Sequence, residues 1–144
     1  MTQPPAVMIL FLAIFIQGVL TLYVLVRVGR TRLGHVRARR VKIADIALGQ
    51  DAWPEDATKL ANSYRSQFEL PVLFYVVALL AIALGIVDMV LALLALAFVA
   101  SRIAHMFVHT GSNDVGKRFN IFLVGVALVA LMWAWLFFKI VLGA

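Results

Sequence analysis

The stretch from Leu70 to Ala100, "LPVLFYVVALLAIALGIVDMVLALLALAFVA", decides the fold of this chain. It contains 31 residues, and its only charged side chain is Asp88. A membrane-spanning helix needs about 20 apolar residues, so one helix could cover this length only with a strong tilt. The interruption "LGIVDM" instead predicts a tight turn at residues 85–88. The stretch therefore reads as two antiparallel membrane spans.

The composition of the whole chain agrees with a membrane location. Apolar residues make up 64% of the 144 residues, and the mean hydropathy is +1.00. Soluble domains contain about 45–50% apolar residues, so the sequence predicts an integral membrane protein with one domain over residues 1–144. The absence of cysteine excludes disulfides, thiol catalysis by the protein and cysteine metal sites.

Two further spans flank the central stretch. The first, Ala6 to Val26, follows "MTQPP", which has no basic residue, and no small-residue cleavage site follows the span. It is therefore not a signal peptide. The last span carries Trp133 and Trp135 toward its far end, where interfacial aromatic residues are favoured. We predict an all-α bundle of four transmembrane helices at about 6–30, 54–84, 89–110 and 118–141, with a loop at about 31–53.

The basic residues predict the orientation of this bundle. With four spans, twelve of the thirteen lysine and arginine residues fall at one end, and only Lys139 lies at the other. Basic residues collect on the cytoplasmic side of membranes, so both termini are expected on the non-cytoplasmic side. This bias accounts for the net charge of +6, and no nucleic-acid-binding motif is present.

Ionisable side chains inside membrane spans cost about 2.5–3.5 kcal/mol each on insertion scales and are functional candidates. Arg65 and Glu69 are spaced i, i+4, while Arg102, His105 and His109 share one helical face. At the same bilayer level lie Arg32, Ser66 and Arg118. Together these residues predict a basic pocket with one acid. Such a pocket suits a small anionic ligand with an ammonium group.

Simpler interpretations remain open for each of these residues. Arg65 and Glu69 could form an ordinary intrahelical pair, and Arg102 could be a snorkelling anchor or the partner of Glu69. The histidines could be interhelical hydrogen-bonding residues. His105 and His109 have the spacing for zinc, but no third histidine or cysteine lies nearby, so no metal site is predicted. A transporter with Glu69 and the histidines as a proton relay is a further hypothesis.

Three motifs resemble those of the MAPEG family, the membrane-associated proteins of eicosanoid and glutathione metabolism. "SRIAHMFVHTGSNDVGKRF" at 101–119 is similar to the family's Arg-x-x-His/Tyr-x-x-x-Tyr pattern followed by an arginine that opens the fourth helix. "YRSQFELPVLFY" at 64–75 and "VGRTRL" at 28–33 resemble the family's second-helix motif and the end of its first helix. His109 stands where the family usually has tyrosine, and Ser66 where it usually has asparagine.

This resemblance implies a function. It implies a homotrimer in a bacterial inner membrane, similar to microsomal glutathione transferases, with glutathione as co-substrate between neighbouring subunits. The expected activity is that of a detoxifying transferase or peroxidase acting on hydrophobic electrophiles or lipid hydroperoxides from the membrane. The alternative is a non-catalytic protein that binds lipid or glutathione, as some family members do. Membrane lipids and other copies of the chain are the expected partners, and nucleic acid is not.

The resemblance also implies roles for individual residues. Arg118 would stabilise the glutathione thiolate, with Arg32 near the thiol. The residues implied to bind glutathione are Arg65, Ser66, Glu69, Arg102, His105, His109 and Arg118.

Overall fold

The computed structural model describes residues 4–47 and 52–143, which form helices joined by short turns. The helices are α1 (Pro5–Arg37), α2 (Ile43–Ile46), α3 (Glu55–Arg65), α4 (Leu70–Ala83), α5 (Met89–Thr110) and α6 (Val115–Leu142). A 3₁₀ turn, Ser66–Phe68, separates α3 from α4. In these described ranges, four segments are long and apolar enough to cross a membrane: α1, α3 with α4, α5 and α6. The predicted four-helix membrane architecture is confirmed.

The first helix is longer than the sequence predicted. α1 continues to Arg37, and α2 lies within the predicted loop at 31–53, of which residues 48–51 fall outside the described part. At 1.5 Å per residue, 33 residues extend about 50 Å, whereas the hydrocarbon core is about 30 Å thick. The arginine-rich end of α1 therefore projects beyond the core. There His35 Nε2 lies 2.9 Å from an Asp56 carboxylate oxygen, which fastens α1 to α3.

The second span is interrupted, in contrast to the continuous helix predicted at about 54–84. The 3₁₀ turn is followed by Glu69 with φ −88° and ψ −93°, after which α4 begins. Pro71 explains the break, because proline has no N–H and its ring clashes with the carbonyl group four residues earlier. That carbonyl belongs to Gln67, inside the 3₁₀ turn.

α5 lies at the centre of the bundle and packs against α1, α3 and α6. Phe74 of α4 stacks on Phe98 of α5 with ring centroids 4.7 Å apart. Fully buried alanines let the helices approach closely, as in other membrane bundles: Ala13, Ala78, Ala81, Ala92 and Ala95. Gly125 of α6 has the same effect, because a Cβ there would lie 3.2 Å from Leu70 Cδ2 and 3.3 Å from Ser101 Oγ.

The outer surface of the bundle is apolar, as a lipid environment requires. Large exposed side chains on this surface include Phe11, Phe15, Leu22, Leu79, Leu93 and Phe137. The polar groups lie at the two ends and in the interior. We call the end that holds the last turns of α1, the start of α3 and the α5–α6 turn the basic end, and the other the far end.

Asp88 organises the far end. It caps α5 by accepting a hydrogen bond from the Leu91 N–H at 2.9 Å, and it accepts from Trp135 Nε1 and Lys139 Nζ of α6, each at 2.9 Å. Partial burial acts to raise the pKa of Asp88, but the hydrogen bonds from Leu91, Lys139 and Trp135 and the charge of Lys139 together lower it below 3.8. The turn that begins at Gly85 is thus clamped to α6.

Candidate functional site

A cavity of about 370 Å³ opens at the basic end between α3, α4, α5 and α6. We call it the polar pocket. Its lining combines cationic, anionic, imidazole and aromatic side chains: Asn62, Arg65, Ser66, Glu69, His105, His109, Val115, Arg118, Phe119 and Phe122. Of the sequence-predicted site residues, six line the pocket: Arg65, Ser66, Glu69, His105, His109 and Arg118.

The break in the second span shapes one wall of the pocket. Two buried glutamines hold the break in place, since Gln17 Nε2 of α1 donates to Gln67 Oε1 at 2.9 Å. Arg65 and Glu69 lie on either side of the 3₁₀ turn. In the ranges that the structure describes, these two residues do not form an ion pair with each other, contrary to the simple intrahelical interpretation. Both side chains instead line the pocket.

Arg102 lies behind this wall rather than in it. Its side chain is only 1% exposed, and Nη2 donates to the carbonyl oxygen of Ser66 at 2.9 Å and to Ser66 Oγ at 2.7 Å. Nε and Nη1 have no hydrogen-bond partner among the described residues. The guanidinium also interacts electrostatically with Glu69. Arg102 therefore supports the 3₁₀ turn, and it is not a snorkelling anchor.

Two histidines of α5 form the floor of the pocket. His105 is 4% exposed and His109 is 7% exposed. Their rings meet edge to face with centroids 5.5 Å apart, and the ring of Phe122 lies 6.2 Å from that of His105. Within the described chain, Nδ1 of each histidine has no hydrogen-bond partner. No group in the described chain therefore donates a hydrogen bond to these two nitrogen atoms or accepts one from them.

The turn between α5 and α6 positions Arg118. Asn113 adopts a left-handed backbone conformation with φ +51°, and its N–H donates to the carbonyl oxygen of Val108 at 2.8 Å. From there Asn113 Oδ1 accepts a hydrogen bond from Arg118 Nη1 at 2.6 Å. Sequence analysis did not identify Asn113. The available signal was "GSND", because asparagine tolerates a positive φ in turns.

Arg32 is the sequence-predicted residue that lies elsewhere. Its guanidinium lies 4.8 Å from the centroid of the Trp53 ring, and it lines a second cavity of about 380 Å³ beside Tyr64 and Phe68. Within one chain, Arg32 and Arg118 therefore do not share a cavity. Arg65 lines both cavities and forms part of the wall between them.

The apolar residues of α6 add a wall that sequence analysis also missed. Val115 and Phe119 are 65% and 57% exposed, yet both contribute to the pocket lining. One edge of the pocket therefore lies at the outer surface of the bundle. No cluster of three or more histidine, aspartate or glutamate side chains suited to a metal ion occurs in residues 4–47 and 52–143.

Fold and pocket together define a class: small integral membrane proteins in which four helices enclose a charged pocket at one end. The MAPEG family model matches residues 10–138, most of the chain, and the chain belongs to the MAPEG family. This family includes glutathione-dependent transferases and peroxidases as well as non-catalytic members. No curated protein and no solved structure gives a significant match to the chain.

Proposed function

We propose that the protein is a glutathione-dependent transferase or peroxidase that acts on hydrophobic electrophiles dissolved in the membrane. The observation that carries the proposal is the charge pattern of the polar pocket, in which Arg65, Glu69 and Arg118 line one cavity. Two guanidinium groups against one carboxylate suit a ligand with more negative than positive groups.

Glutathione has this arrangement of charges, with two carboxylates and one ammonium group. Glu69 would pair with the ammonium group, and Arg65 is available for a carboxylate through paired N–H donors. The pocket volume of about 370 Å³ lies within the usual range for small-molecule sites, about 300–1,000 Å³. Asn62 and Ser66 add neutral hydrogen-bonding groups to the same wall.

Arg118 is the proposed catalytic residue. A free thiol has a pKa of about 8.5, so a nearby cation increases the thiolate fraction at neutral pH. The hydrogen bond from Arg118 to Asn113 fixes the guanidinium at the pocket before a ligand arrives. A preorganised cation stabilises developing negative charge without reorganisation during the reaction.

The apolar edge of the pocket supports a hydrophobic second substrate. Phe119 and Phe122 line the pocket on the side of α6, and Phe119 is also exposed on the outer surface of the bundle. An electrophile or lipid hydroperoxide partitioned into the bilayer would reach the thiolate along this edge without crossing water.

The proposed assembly is a homotrimer in a bacterial inner membrane, with the basic end in the cytoplasm. Homotrimers are usual in the MAPEG family. The clustering of basic residues at one end supports the orientation. Because Arg32 and Arg118 line different cavities within one chain, the proposed place of Arg32 near the thiol requires glutathione to lie between neighbouring subunits.

A non-catalytic glutathione-binding protein is the second candidate. It is favoured by Ser66 and His109, which replace residue types usual in the family and both line the pocket. Such a protein would bind glutathione at equilibrium but would neither conjugate nor reduce any member of a broad panel of electrophiles and hydroperoxides.

The test combines calorimetric titration of glutathione with turnover of a model electrophile by the purified protein in lipid. We expect Arg118→Ala to raise the pKa of the bound thiol and to lower turnover by about a hundredfold, the usual effect of removing one preorganised donor. Arg30→Ala is the matched control, because Arg30 is exposed at the same end and lines a different cavity. Wild-type turnover by a folded Arg118→Ala protein would refute the assignment.

A further inference from the structure

The 3₁₀ turn Ser66–Phe68 separates the two charged residues that are proposed to bind the ends of glutathione. Along an α-helix, residues i and i+4 point within about 40° of each other and are in contact. In a 3₁₀ helix, which has three residues per turn, the same step leaves them about 120° apart. The turn therefore moves Arg65 and Glu69 off a common face, and within the described chain they form no ion pair with each other.

This separation matters for a ligand that carries charges of both signs. If Arg65 and Glu69 paired with each other, each would neutralise the group that the other offers to glutathione. Because both line the polar pocket without pairing, they can hold a carboxylate and an ammonium group at the same time. The backbone conformation of the turn thus decides whether the pocket presents two binding groups or one internal ion pair.

Pro71 interrupts the helix but does not by itself require a 3₁₀ turn. It removes one backbone hydrogen bond, which would otherwise go to the carbonyl oxygen of Gln67. An α-helix can also accommodate a proline as a kink, and a kink would leave Arg65 and Glu69 one α-helical turn apart. A further interaction must therefore favour the 3₁₀ turn over the kinked helix.

Gln17 supplies this interaction from α1. Its side chain is 0% exposed, and its Nε2 donates to Gln67 Oε1 at 2.9 Å. Gln67 is 1% exposed and is the central residue of the turn. An unpaired amide is costly in an apolar interior, so the pair favours the backbone conformation in which Gln67 reaches Gln17.

We propose that Gln17 is a positioning residue for glutathione, because its hydrogen bond to Gln67 selects the 3₁₀ turn and so keeps Arg65 and Glu69 apart. This inference rests on the proposed function of the polar pocket. Gln17 is not among the residues that line the pocket, so it acts through the turn. Arg102 also holds the turn, through Ser66, but it lies directly behind the pocket wall and cannot be replaced without disturbing that wall.

A purely structural role would be to hold α1 against the second span, as interhelical hydrogen bonds do in other membrane bundles. The two roles differ when both amides are removed. Replacing both partners of a buried hydrogen bond by apolar residues leaves no unsatisfied group and costs little stability. The double variant Gln17→Leu/Gln67→Leu should therefore be more stable than Gln17→Leu alone, yet it should bind glutathione as weakly, because nothing selects the turn.

The measurements are calorimetric titration of glutathione, steady-state kinetics and thermal unfolding of the purified protein in lipid. We expect both variants to bind glutathione about tenfold more weakly, the effect of losing one hydrogen bond to a charged group. The KM for glutathione should rise by the same factor. Because Arg118 is untouched, kcat and the pKa of the bound thiol should stay at their wild-type values.

A double-mutant cycle tests the link to Glu69. Glu69→Gln should weaken binding about tenfold in the wild-type protein but have little further effect in the double leucine variant, where Glu69 is already paired with Arg65. Trp135→Phe is the matched control. It removes an interhelical hydrogen bond, to Asp88 at the far end, and should lower stability without changing the affinity for glutathione.

The possible contrary results are distinguishable. Wild-type affinity of the double leucine variant, or an undiminished effect of Glu69→Gln in it, would overturn the role of Gln17 and leave the proposed function intact. A double variant that does not fold, or a loss of kcat at unchanged KM, would assign the glutamine pair a structural role instead. No glutathione binding by the wild type would refute the proposed function and this inference with it.

Discussion

At the scale of single residues, Asn113 connects the backbone of the α5–α6 turn to the proposed chemistry. Its left-handed conformation, φ +51°, places Oδ1 2.6 Å from Arg118 Nη1. A hydrogen bond to a charged group contributes about 1.5–3 kcal/mol, enough to hold one arginine rotamer over others. The side chain of Asn113 thereby acts through Arg118 and does not itself line the pocket.

Replacement of Asn113 should therefore weaken activation of the thiol. We expect Asn113→Gly, which keeps the positive φ without strain, to lower kcat/KM by about tenfold through loss of the hydrogen bond. Asn113→Asp keeps an acceptor for Arg118 and should retain most activity. Steady-state kinetics and the pKa of the bound thiol are the measurements. Equal activity of the glycine and aspartate variants would contradict this role.

The sequence predicted which polar residues collect at one end of the bundle, but not how each is used. Helical spacing is enough to place Arg102, His105 and His109 on one face. It does not tell whether a long side chain enters a cavity or turns toward a neighbouring backbone, and Arg102 donates to Ser66. The position of the Arg32 side chain was not predictable either. Its guanidinium lies over the ring of Trp53, which belongs to a loop without helical periodicity.

At the scale of secondary structure, the break between α3 and α4 determines the shape of the pocket. The hydropathy of residues 54–84 predicted one continuous span, because a single 3₁₀ turn does not change the hydropathy averaged along a segment. Pro71 was the local signal for the break. Its consequence depends on tertiary contacts, because Gln17 and Arg102 supply the hydrogen bonds that hold Gln67 and Ser66 in the interrupted segment.

The turn between α4 and α5 was predicted more accurately, because its signals are local. Gly85 has φ +67°, which glycine adopts without a steric penalty, and Asp88 accepts from the N–H three residues later, as helix-capping aspartates do. The bonds that Asp88 accepts from Trp135 and Lys139 span about fifty residues and were not predictable from spacing.

The Asp88 clamp predicts an acid-dependent loss of stability. Because the folded-state pKa of Asp88 is lowered, its contribution is fully present above the ordinary value of 3.8 and is lost as pH falls below it. Thermal unfolding midpoints in detergent, measured from pH 7 to about pH 3, should therefore fall more steeply for the wild type than for Asp88→Asn. At neutral pH the variant should be the less stable protein.

Asp45→Asn provides the matched comparison, because Asp45 is exposed in α2 and forms no ion pair within the described chain. Its midpoint should follow that of the wild type at every pH. Parallel pH profiles of Asp88→Asn and the wild type would show that the clamp does not contribute to folding stability.

At the scale of the whole molecule, the two ends of the bundle differ in chemistry. The basic end carries the polar pocket, the projecting end of α1 and all but one of the basic residues, whereas the far end is closed by the Asp88 clamp. A pocket at the basic end with one apolar edge at the outer surface of the bundle suits a reaction between a water-soluble anion and a lipid-soluble partner. Each substrate would approach from the phase in which it dissolves.

The orientation of this asymmetric molecule can be measured directly, because the chain contains no cysteine and single cysteines can be introduced without background. Ala38→Cys marks the basic end, and Leu142→Cys marks the far end; both positions are exposed. In spheroplasts of a bacterial host, a membrane-impermeant maleimide should label Leu142→Cys at once and Ala38→Cys only after permeabilisation, since basic residues are retained in the cytoplasm. As a control for cysteine reactivity, the maleimide should label both variants when the protein is solubilised in detergent. The reverse order of labelling would place the polar pocket outside the cell, away from cytoplasmic glutathione, and would contradict the proposed function together with the orientation.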